Sequence, residues 1–351
     1  MTRIVFAIPG DLAAPTGGYG YDRRVLAELP RCGVDTAYCA LPGSFPAPNA
    51  EDIEKTIAVI NRGAREGAVV LIDGLAYGAL PESMVRTVAA PIVALCHHPL
   101  CCETGLSSEQ KEALRASEQR ALALASRIVA TSAHTKTSLE TDFELPAEKI
   151  SVALPGTDRA PRAQGSCGAP ALLAVGSIIP RKAFDLLVDA LAGLKDLDWR
   201  LRIAGSLEAS PQTTRALAQR IAATGLGARV ELLGALSPEQ LDGALGASDI
   251  FVSSSLYEGY GMALAEALAR GLPIVTTTAG AATETVPDAA ALKVPVRDVS
   301  ALRAALRSVI ADRSLRAKLS EEAWRAGQAL PSWEDTAQII AGVAREAAGS
   351  R

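Results

Sequence analysis

Two glutamates, eight residues apart, flank a glycine-containing loop in the second half of the chain. Glu258 precedes the loop, and Glu266 lies in a helix that the sequence predicts to begin near Met262. Free N–H groups at a helix start, with the positive end of the helix dipole, favour an anion, and Gly259 and Gly261 let a phosphate approach the backbone. Carboxylates that accept hydrogen bonds from hydroxyl groups suit sugars. We therefore predict that the two glutamates bind different parts of one elongated ligand.

Polar or flexible residues also follow two predicted strands of the first half. His97 and His98, two of only three histidines, come directly after the apolar run at residues 92–96. Ligands of α/β sheets bind at the carboxyl ends of parallel strands, so this position favours a functional role over that of a core histidine. The glycine pair Gly17 and Gly18 follows the first strand, where a plain turn and a ligand-binding loop are both consistent with the sequence.

Short runs that are apolar throughout alternate along the chain with amphipathic helical segments. Uniformly apolar runs are typical of parallel strands that are covered on both faces. Six lie in each half, at residues 3–8, 34–40, 69–72, 92–96, 127–131 and 150–154, and then at 172–175, 200–204, 230–233, 250–253, 273–276 and 291–294. The pattern predicts an α/β protein with two doubly wound, Rossmann-like domains whose strand ends face each other across a ligand-binding cleft.

The domain boundary is predicted from composition. Residues 159–168 contain Pro, Gly and polar residues without periodicity, so we place the linker there. The first domain then covers residues 1–160 and the second residues 166–330, which suits a chain of 351 residues. A last helix is predicted over residues 332–350, with Ser332 as its cap and Asp335 in the capping-box position.

Composition excludes several classes of protein. The 35 Lys and Arg residues nearly balance 39 Asp and Glu residues, and neither half is basic, which argues against binding of nucleic acid or of an anionic membrane surface. No apolar run is long enough to span a bilayer, and the N-terminus does not resemble a signal peptide. The six cysteines show no metal-ligand spacing. We therefore expect reduced thiols and a cytoplasmic location.

Two stretches resemble the retaining GT-B glycosyltransferases of the group 1 (GT4) family. The first is Ser-Ser-Leu-Tyr-Glu-Gly-Tyr-Gly-Met at 254–262 with Ala-Glu-Ala around Glu266, and the second is Gly-Ser-Ile-Ile-Pro-Arg-Lys-Ala-Phe-Asp at 176–185. The match extends over most of the chain. It implies a GT-B fold that binds an acceptor in the N-terminal domain and a nucleotide-sugar donor in the C-terminal domain. It also implies that the last helix, at 332–350, packs back on the N-terminal domain. The implied reaction moves a hexose to an acceptor hydroxyl with retention of configuration.

The resemblance also implies roles for single residues. Glu258 contacts the donor hexose, Glu266 binds the ribose hydroxyls, and Lys182 pairs with the diphosphate, whose charge grows as the glycosyl bond breaks. The family often has Arg where Ser177 stands, so we expect Arg181 to supply that charge. Further donor contacts are expected at Gly17, Gly18, Gly259, Tyr260, Gly261 and Met262. His97 is expected to contact the transferred sugar, and Glu103 and His98 to lie on the acceptor side.

Two further patterns are less complete. Residues 280–284 resemble a Gly-Gly-x-x-Glu turn of the family with Ala281 in place of the second glycine, which gives Glu284 a supporting role. Asp196-Leu197-Asp198 matches the DxD pattern of metal-dependent transferases, but it precedes a strand on the side away from the expected cleft. We therefore predict no metal and no cofactor, with the diphosphate neutralised by Lys182, Arg181 and the helix start.

Two alternative functions fit much of the same pattern. A GT-B-shaped nucleotide-sugar epimerase would need carboxylate and histidine acid/base groups around the sugar, and it would act on the donor alone. A non-catalytic nucleotide-sugar binding protein would give neither hydrolysis nor transfer. For a transferase, the partners are a nucleotide-sugar donor and a saccharide or other small-molecule acceptor, with peripheral membrane contact left open.

Overall fold

The computed structural model describes residues 2–64 and 67–349. The chain divides into two compact units, Met1–Gly156 with Pro331–Arg351, and Thr157–Leu330. Residues 159–168, taken above as the linker, therefore belong to the second unit. There the Ala163 N–H donates to the Arg270 carbonyl at 2.9 Å, so this irregular segment is fixed by packing. The predicted end of the last helix, residue 350, lies outside the described residues.

The first unit is built on a six-stranded parallel sheet in the order β2-β1-β3-β4-β5-β6. Its strands are β1 (Arg3–Pro9), β2 (Asp35–Leu41), β3 (Ala68–Asp73), β4 (Ile92–Cys96), β5 (Arg127–Ala130) and β6 (Ile150–Val152). Every residue of β3 and β4 is buried, as expected of apolar strands covered on both faces. The carboxyl ends of these two strands deliver Asp73 and, one residue past β4, His97.

Helices connect these strands. They are α1 (Gly17–Glu28), α2 (Ala50–Gly63), α3 (Gly74–Tyr77), α4 (Glu82–Val85), α5 (Ser108–Leu124) and α6 (Ala133–Thr141). Side-chain caps fix several of their starts. The Thr16 hydroxyl accepts the Tyr19 N–H at 3.4 Å at the start of α1, and an Asp73 carboxylate oxygen accepts the Leu75 N–H at 2.7 Å at the start of α3.

The second unit repeats the plan with the order β12-β11-β10-β7-β8-β9, again all parallel. Its strands are β7 (Ala171–Val175), β8 (Arg200–Ala204), β9 (Val230–Gly234), β10 (Ile250–Ser253), β11 (Ile274–Thr277) and β12 (Ala291–Val294). Its helices are α7 (Phe184–Ala192), α8 (Pro211–Ala223), α9 (Pro238–Gly246), α10 (Met262–Ala269), α11 (Ala282–Thr285), α12 (Val299–Ala311) and α13 (Arg313–Gln328). Strands β7 and β10 are neighbours, so their carboxyl ends meet.

The last helix, α14 (Trp333–Gly349), packs within the first unit. The Trp333 ring lies edge-on to Tyr21, with ring centroids 5.7 Å apart, and the Thr336 hydroxyl donates to the Leu154 carbonyl at 2.7 Å. The Ser332 hydroxyl accepts the Asp335 N–H at 3.1 Å, as the capping box predicts. Within residues 2–64 and 67–349, no helix combines the length and the apolar character that crossing a bilayer requires.

The predicted fold class is confirmed. All twelve predicted strands are present, with ends that differ from the prediction by two residues at most, and each sheet has six parallel strands. The two units have the doubly wound, Rossmann-like arrangement of helices and parallel strands.

Candidate functional site

In the second unit, the loop after β10 leads into the start of helix α10. Gly261 precedes this helix with φ +94°, a left-handed conformation that favours glycine. Its carbonyl accepts the N–H groups of Leu264 and Ala265, at 2.9 and 3.1 Å. The first N–H groups of a helix have no carbonyl of their own helix to bind, so the backbone near Met262 offers donors to an anion.

The Tyr260 side chain belongs to the core, so the predicted contact of this residue with the donor requires its backbone. Tyr260 is only 7% exposed, and burial raises the pKa of its hydroxyl to about 12. Its carbonyl accepts the Thr285 hydroxyl at 2.6 Å, which holds the loop against helix α11. Only the backbone of Tyr260 is therefore suited to donate a hydrogen bond to a phosphate.

Lys182 and Glu258 form a largely buried ion pair. The Lys182 Nζ lies 2.6 Å from the Glu258 Oε1, and the Ser255 hydroxyl donates to the same oxygen, also at 2.6 Å. Burial alone would raise the pKa of Glu258, but the charges of Lys182 and Arg181 and these hydrogen bonds outweigh it and hold that pKa below its usual value. Glu258 is therefore ionised at neutral pH.

The two stretches that carry the family resemblance are fastened together by backbone contacts. Arg181 Nη1 donates to the Tyr257 carbonyl at 3.0 Å, and the Leu256 N–H donates to the Arg181 carbonyl at 2.8 Å. The Ser254 hydroxyl donates to the Lys182 carbonyl at 2.9 Å. The turn Pro180–Lys182 after β7 and the loop after β10 therefore form one fixed wall, as the adjacency of these strands requires.

Gly176 makes room for the lysine. Its φ is +151°, and a Cβ atom there would lie 2.7 Å from Lys182 Cε. A larger residue would push the lysine stem away from Glu258. Ser177, which stands where the family often has Arg, is the next residue in this tight turn.

Glu266 lies on α10 in a separate charge environment. Burial raises the pKa of its carboxyl to about 7; the charge of Arg270 lowers this pKa and that of Asp158 raises it. Near neutral pH the group is a mixture of carboxylate and acid, and both forms can bond to a hydroxyl.

The residues that resemble the Gly-Gly-x-x-Glu turn lie at the start of α11, where they have different roles. Ala281 is fully buried, and its N–H donates to the Glu258 carbonyl at 2.9 Å, so its backbone supports the loop. Glu284 lies in α11 as an exposed residue. The DxD pattern at 196–198 lies at the surface, where both carboxylate oxygens of Asp196 accept hydrogen bonds from Arg307, at 2.7 and 2.9 Å.

In the first unit, His97 faces two buried carboxylates. Its Nε2 lies 3.3 Å from Asp22 Oδ1 and 3.2 Å from Asp73 Oδ2. The Asp22 and Asp73 side chains are 0% and 4% exposed, and that of His97 is 19% exposed. Helix α1 supplies Asp22, the end of β3 supplies Asp73, and the end of β4 supplies His97.

Sequence reasoning missed Asp22 and Asp73. Asp22 sits in an amphipathic helix, where an acid is ordinarily solvated, and Asp73 caps α3. A polar residue that ends a fully apolar strand was the available signal for Asp73, the same signal that identified His97. These three residues are also the one group within the described part of the chain that could hold a metal ion, with ligand atoms within 4.8 Å of one another.

The remaining predicted residues of the first unit lie near this cluster or on the turn that follows β4. Gly17 is the first residue of α1, and Gly18 borders the His97 ring, since a Cβ on Gly18 would lie 3.5 Å from His97 Cδ2. His98 Nε2 lies 2.8 Å from Glu103 Oε1, and both residues are half-buried. The structure thus brings His98 and Glu103 together as one pair. The roles assigned to these residues stay predictions.

The second unit matches a known protein family. Residues 161–325, nearly all of the second unit, match the model of the group 1 glycosyl transferases. The chain is 27% identical over 311 residues to the MMP alpha-(1->4)-mannosyltransferase of Mycolicibacterium hassiacum, covering 84% of this chain and 74% of that protein. It is 31% identical over 240 residues to the D-inositol 3-phosphate glycosyltransferase of Nocardia farcinica, covering 63% and 52%. The chain thus matches about half the length of the latter relative.

Solved structures extend the likeness to the whole fold. The sucrose-phosphate synthase of Thermosynechococcus elongatus superposes with a TM-score of 0.81 at 21% identity, covering 98% of both chains. Anabaena HepE in complex with UDP-glucose gives 0.79 at 18% identity, covering 97% of this chain and 98% of that one. Together with the two parallel sheets, these findings show that the chain has the GT-B fold, and its residues 161–325 match the group 1 glycosyl transferases.

Proposed function

We propose that this protein is a retaining glycosyltransferase that moves a hexose from a nucleotide-diphosphate sugar to an acceptor hydroxyl without a metal ion. The observation that carries the proposal is the buried Lys182–Glu258 pair next to the start of α10, within the unit that matches the family. It combines a cation, a carboxylate and backbone donors on two loops that hydrogen bonds fasten together.

Each part has a distinct task in transfer. As the bond from the anomeric carbon to the diphosphate breaks, negative charge accumulates on the diphosphate, and the Lys182 ammonium and the N–H groups near Met262 stabilise it. The Glu258 carboxylate accepts hydrogen bonds from hexose hydroxyls, and Glu266 accepts them from ribose hydroxyls. Since Lys182 is already held by Glu258, it does not have to be reoriented when the donor binds.

Retention of configuration is proposed to occur without a covalent enzyme intermediate. Glu258 Oε1 already accepts two hydrogen bonds at 2.6 Å, which reduces its strength as a nucleophile. We propose that the acceptor oxygen attacks the anomeric carbon from the face that the diphosphate leaves. The acceptor hydroxyl proton passes to a diphosphate oxygen, so the products are the glycoside and a nucleoside diphosphate.

Donor and acceptor are proposed by class. The named relatives include a mannosyltransferase and glycosyltransferases of an inositol phosphate, and HepE was solved with UDP and with UDP-glucose. A nucleoside-diphosphate hexose is therefore the proposed donor. A soluble saccharide or polyol, bound by the first unit, is the proposed acceptor.

A thermal-shift panel followed by a transfer assay tests the proposal. Nucleoside diphosphates and their hexose derivatives are first screened for stabilisation, since a ligand of the native state raises the melting temperature. The selected donor is then incubated with a set of polyols and saccharides, and the glycoside's anomeric configuration is determined by NMR. Lys182→Met should reduce turnover by orders of magnitude, whereas Lys293→Met, which breaks an ion pair with the exposed Asp288 in the same unit, should not.

The alternatives give different results in the same assay. Epimerised sugar formed from donor alone would identify an epimerase, and donor binding without transfer to any acceptor would identify a binding protein. Inverted configuration, or near-normal transfer by Lys182→Met, would contradict the mechanism.

A further inference from the structure

The Asp22–Asp73–His97 cluster determines which hydrogen-bonding role His97 can have. His97 Nε2 faces both carboxylates at 3.2 to 3.3 Å, so a lone pair on this nitrogen would point at negative charge. Nε2 therefore carries a hydrogen, which it shares between Asp22 and Asp73. The only other ring nitrogen available to a ligand is Nδ1.

Charge balance decides the state of Nδ1. With a neutral imidazole, two carboxylates that are almost wholly excluded from water would have no cation, and buried charges without a partner are costly. Asp22 Oδ2 is buried and has no hydrogen-bond partner in the structure. A proton on Nδ1 makes the ring a cation in direct contact with both acids, which offsets one of the two charges.

We propose that Asp22 and Asp73 are positioning residues that keep His97 as an imidazolium, so that its Nδ1–H donates a hydrogen bond to a ligand oxygen and never accepts a proton. The inference deepens the proposed function and rests on it for the identity of the ligand as substrate. The imidazolium itself is a property of the first unit alone.

The surroundings hold the ring in one orientation. The Tyr21 ring lies edge-on to it with centroids 5.2 Å apart, and the Thr131 hydroxyl donates to the His97 carbonyl at 3.1 Å. The second oxygen of Asp73 is bound by the Leu75 N–H at 2.7 Å, which fixes that carboxylate in turn. Because these partners fix the ring, the N–H of His97 is already oriented toward the ligand oxygen that would accept its hydrogen bond.

The pKa of His97 is raised, as expected for an imidazolium held between two acids. Burial alone would lower the pKa of His97, but the charge and hydrogen bond of Asp22 and those of Asp73 outweigh it and raise that pKa to about 10. Burial and the charge of Asp73 raise the pKa of Asp22 to about 7, against the lowering effect of His97. The other titratable groups that interact with these acids include Tyr19 and Tyr21 of α1, Tyr38 of β2 and Cys96 of β4. Burial is the first cause of the raised pKa of each, and Asp22, Asp73 or both add to it.

A permanently charged His97 is limited in the chemistry that it can perform. A general base must have a free lone pair, and an imidazolium has none. His97 therefore cannot remove a proton from a sugar carbon, as an epimerase would need, or from an acceptor hydroxyl. It can only orient an oxygen or stabilise negative charge on it.

NMR of histidine-labelled protein tests the protonation state without any activity. The chain has three histidines, so the ring signals are few, and His97→Gln identifies those of His97. In the unmodified protein, both ring nitrogens of His97 should carry protons up to about pH 9. Asp22→Asn and Asp73→Asn should each lower the pKa of His97 by about 1 to 3 units, as expected for loss of an adjacent opposite charge. The exposed Asp142→Asn in the same unit is the matched control and should leave it unchanged.

Three results would overturn the proposal. One is a His97 ring that titrates near pH 6.5 in the unmodified protein, because the ring would then be neutral at physiological pH. Another is a His97 pKa that neither aspartate variant lowers. The third is one equivalent of tightly bound metal that is removed by a chelator and lost in Asp22→Asn, which would make these residues metal ligands. The first result is read on the unmodified protein, and sequential backbone assignment identifies the His97 ring if His97→Gln fails to fold, so the question is not left open.

Transfer kinetics separate this inference from the proposed function. In Asp73→Asn, kcat should fall with rising pH at a lower pH than in the unmodified protein, because His97 loses its proton earlier. A purely structural role would lower activity equally at all pH values. If NMR shows the imidazolium but no donor is ever transferred, the proposed function fails and the protonation state stands.

Discussion

Breaking the Lys182–Glu258 pair should destabilise the second unit by several kcal/mol. The two side chains are 16% and 9% exposed, with Nζ and Oε1 2.6 Å apart. Removing one partner of a buried ion pair leaves the other charge uncompensated, at a cost of about 3 to 5 kcal/mol. Residual exposure places each single variant, Lys182→Met or Glu258→Gln, at about 3 kcal/mol. For a unit of this size that corresponds to a melting temperature lower by roughly 6 to 12 °C.

The double variant distinguishes a coupled pair from two separate effects. When both charges are removed, neither is left unpaired, and contacting residues commonly show coupling of about 0.5 to 3 kcal/mol. We expect the double variant to lose about 3 kcal/mol, no more than either single variant and about half the sum of the two. Ser255 remains able to donate to the amide oxygen of Gln, which limits the loss at position 258.

Hydrogen exchange in increasing urea measures these free energies locally. Amides of β7 and β10 report on the second unit without requiring the whole chain to unfold in one step. Glu321→Gln, which breaks an ion pair with Arg162 whose side chains are 45% and 47% exposed, is the matched control and should cost less than about 1 kcal/mol. Costs for Lys182→Met and Glu258→Gln that add within about 0.5 kcal/mol, or that match the control, would refute the view of a buried, coupled pair.

Three further predictions concern residues that shape the two units. Burial raises the pKa of Glu118 to about 8, above its unfolded value near 4.5, so the first unit should lose stability as pH rises through this interval. Glu118→Gln should remove that loss and be about 2 kcal/mol more stable at pH 9 in urea denaturation, with little difference at pH 4.5. Gly176→Ala should cost about 1 to 3 kcal/mol from its positive φ and should weaken binding of the nucleotide selected by thermal shift, whereas Gly243→Ala, where a Cβ meets nothing within 4 Å, should not. Trp333→Ala should destabilise the first unit by about 3 to 5 kcal/mol in thermal denaturation, far more than Ile339→Ala on the exposed face of the same helix.

Much of the fold was predictable because buried parallel strands have a simple signature. A strand covered on both faces has no polar alternation, and each of the twelve apolar runs became a strand of the expected sheet. The segment at 159–168 shows the limit of the same approach. Its composition indicates irregular structure, but it does not reveal that the Ala163 N–H donates to the Arg270 carbonyl at 2.9 Å, so that this residue belongs to the second unit.

The candidate site divides along similar lines. The Lys182–Glu258 contact was within reach of prediction, since both residues follow strands that the GT-B order makes neighbours. Asp22 was out of reach, because an acid on an amphipathic helix reveals neither its burial nor its partner. Only the crossing of α1 over the ends of β3 and β4 joins it to His97, 75 residues away.

The charges around Lys182 and around His97 favour different ligands in the two units. Around Lys182, the charges of the Lys182 ammonium and the Arg181 guanidinium hold the Glu258 carboxyl ionised beside a helix start, and cations next to backbone donors suit a diphosphate. Around His97, even a charged imidazolium leaves two acids with one cation, so the ring's surroundings are neutral or negative. Such a position favours a hydroxyl over a phosphate, since a phosphate would have to approach Asp22 and Asp73. We therefore propose that a chain of near-neutral total charge combines a diphosphate site at Lys182 with a site at His97 that orients a sugar or polyol oxygen.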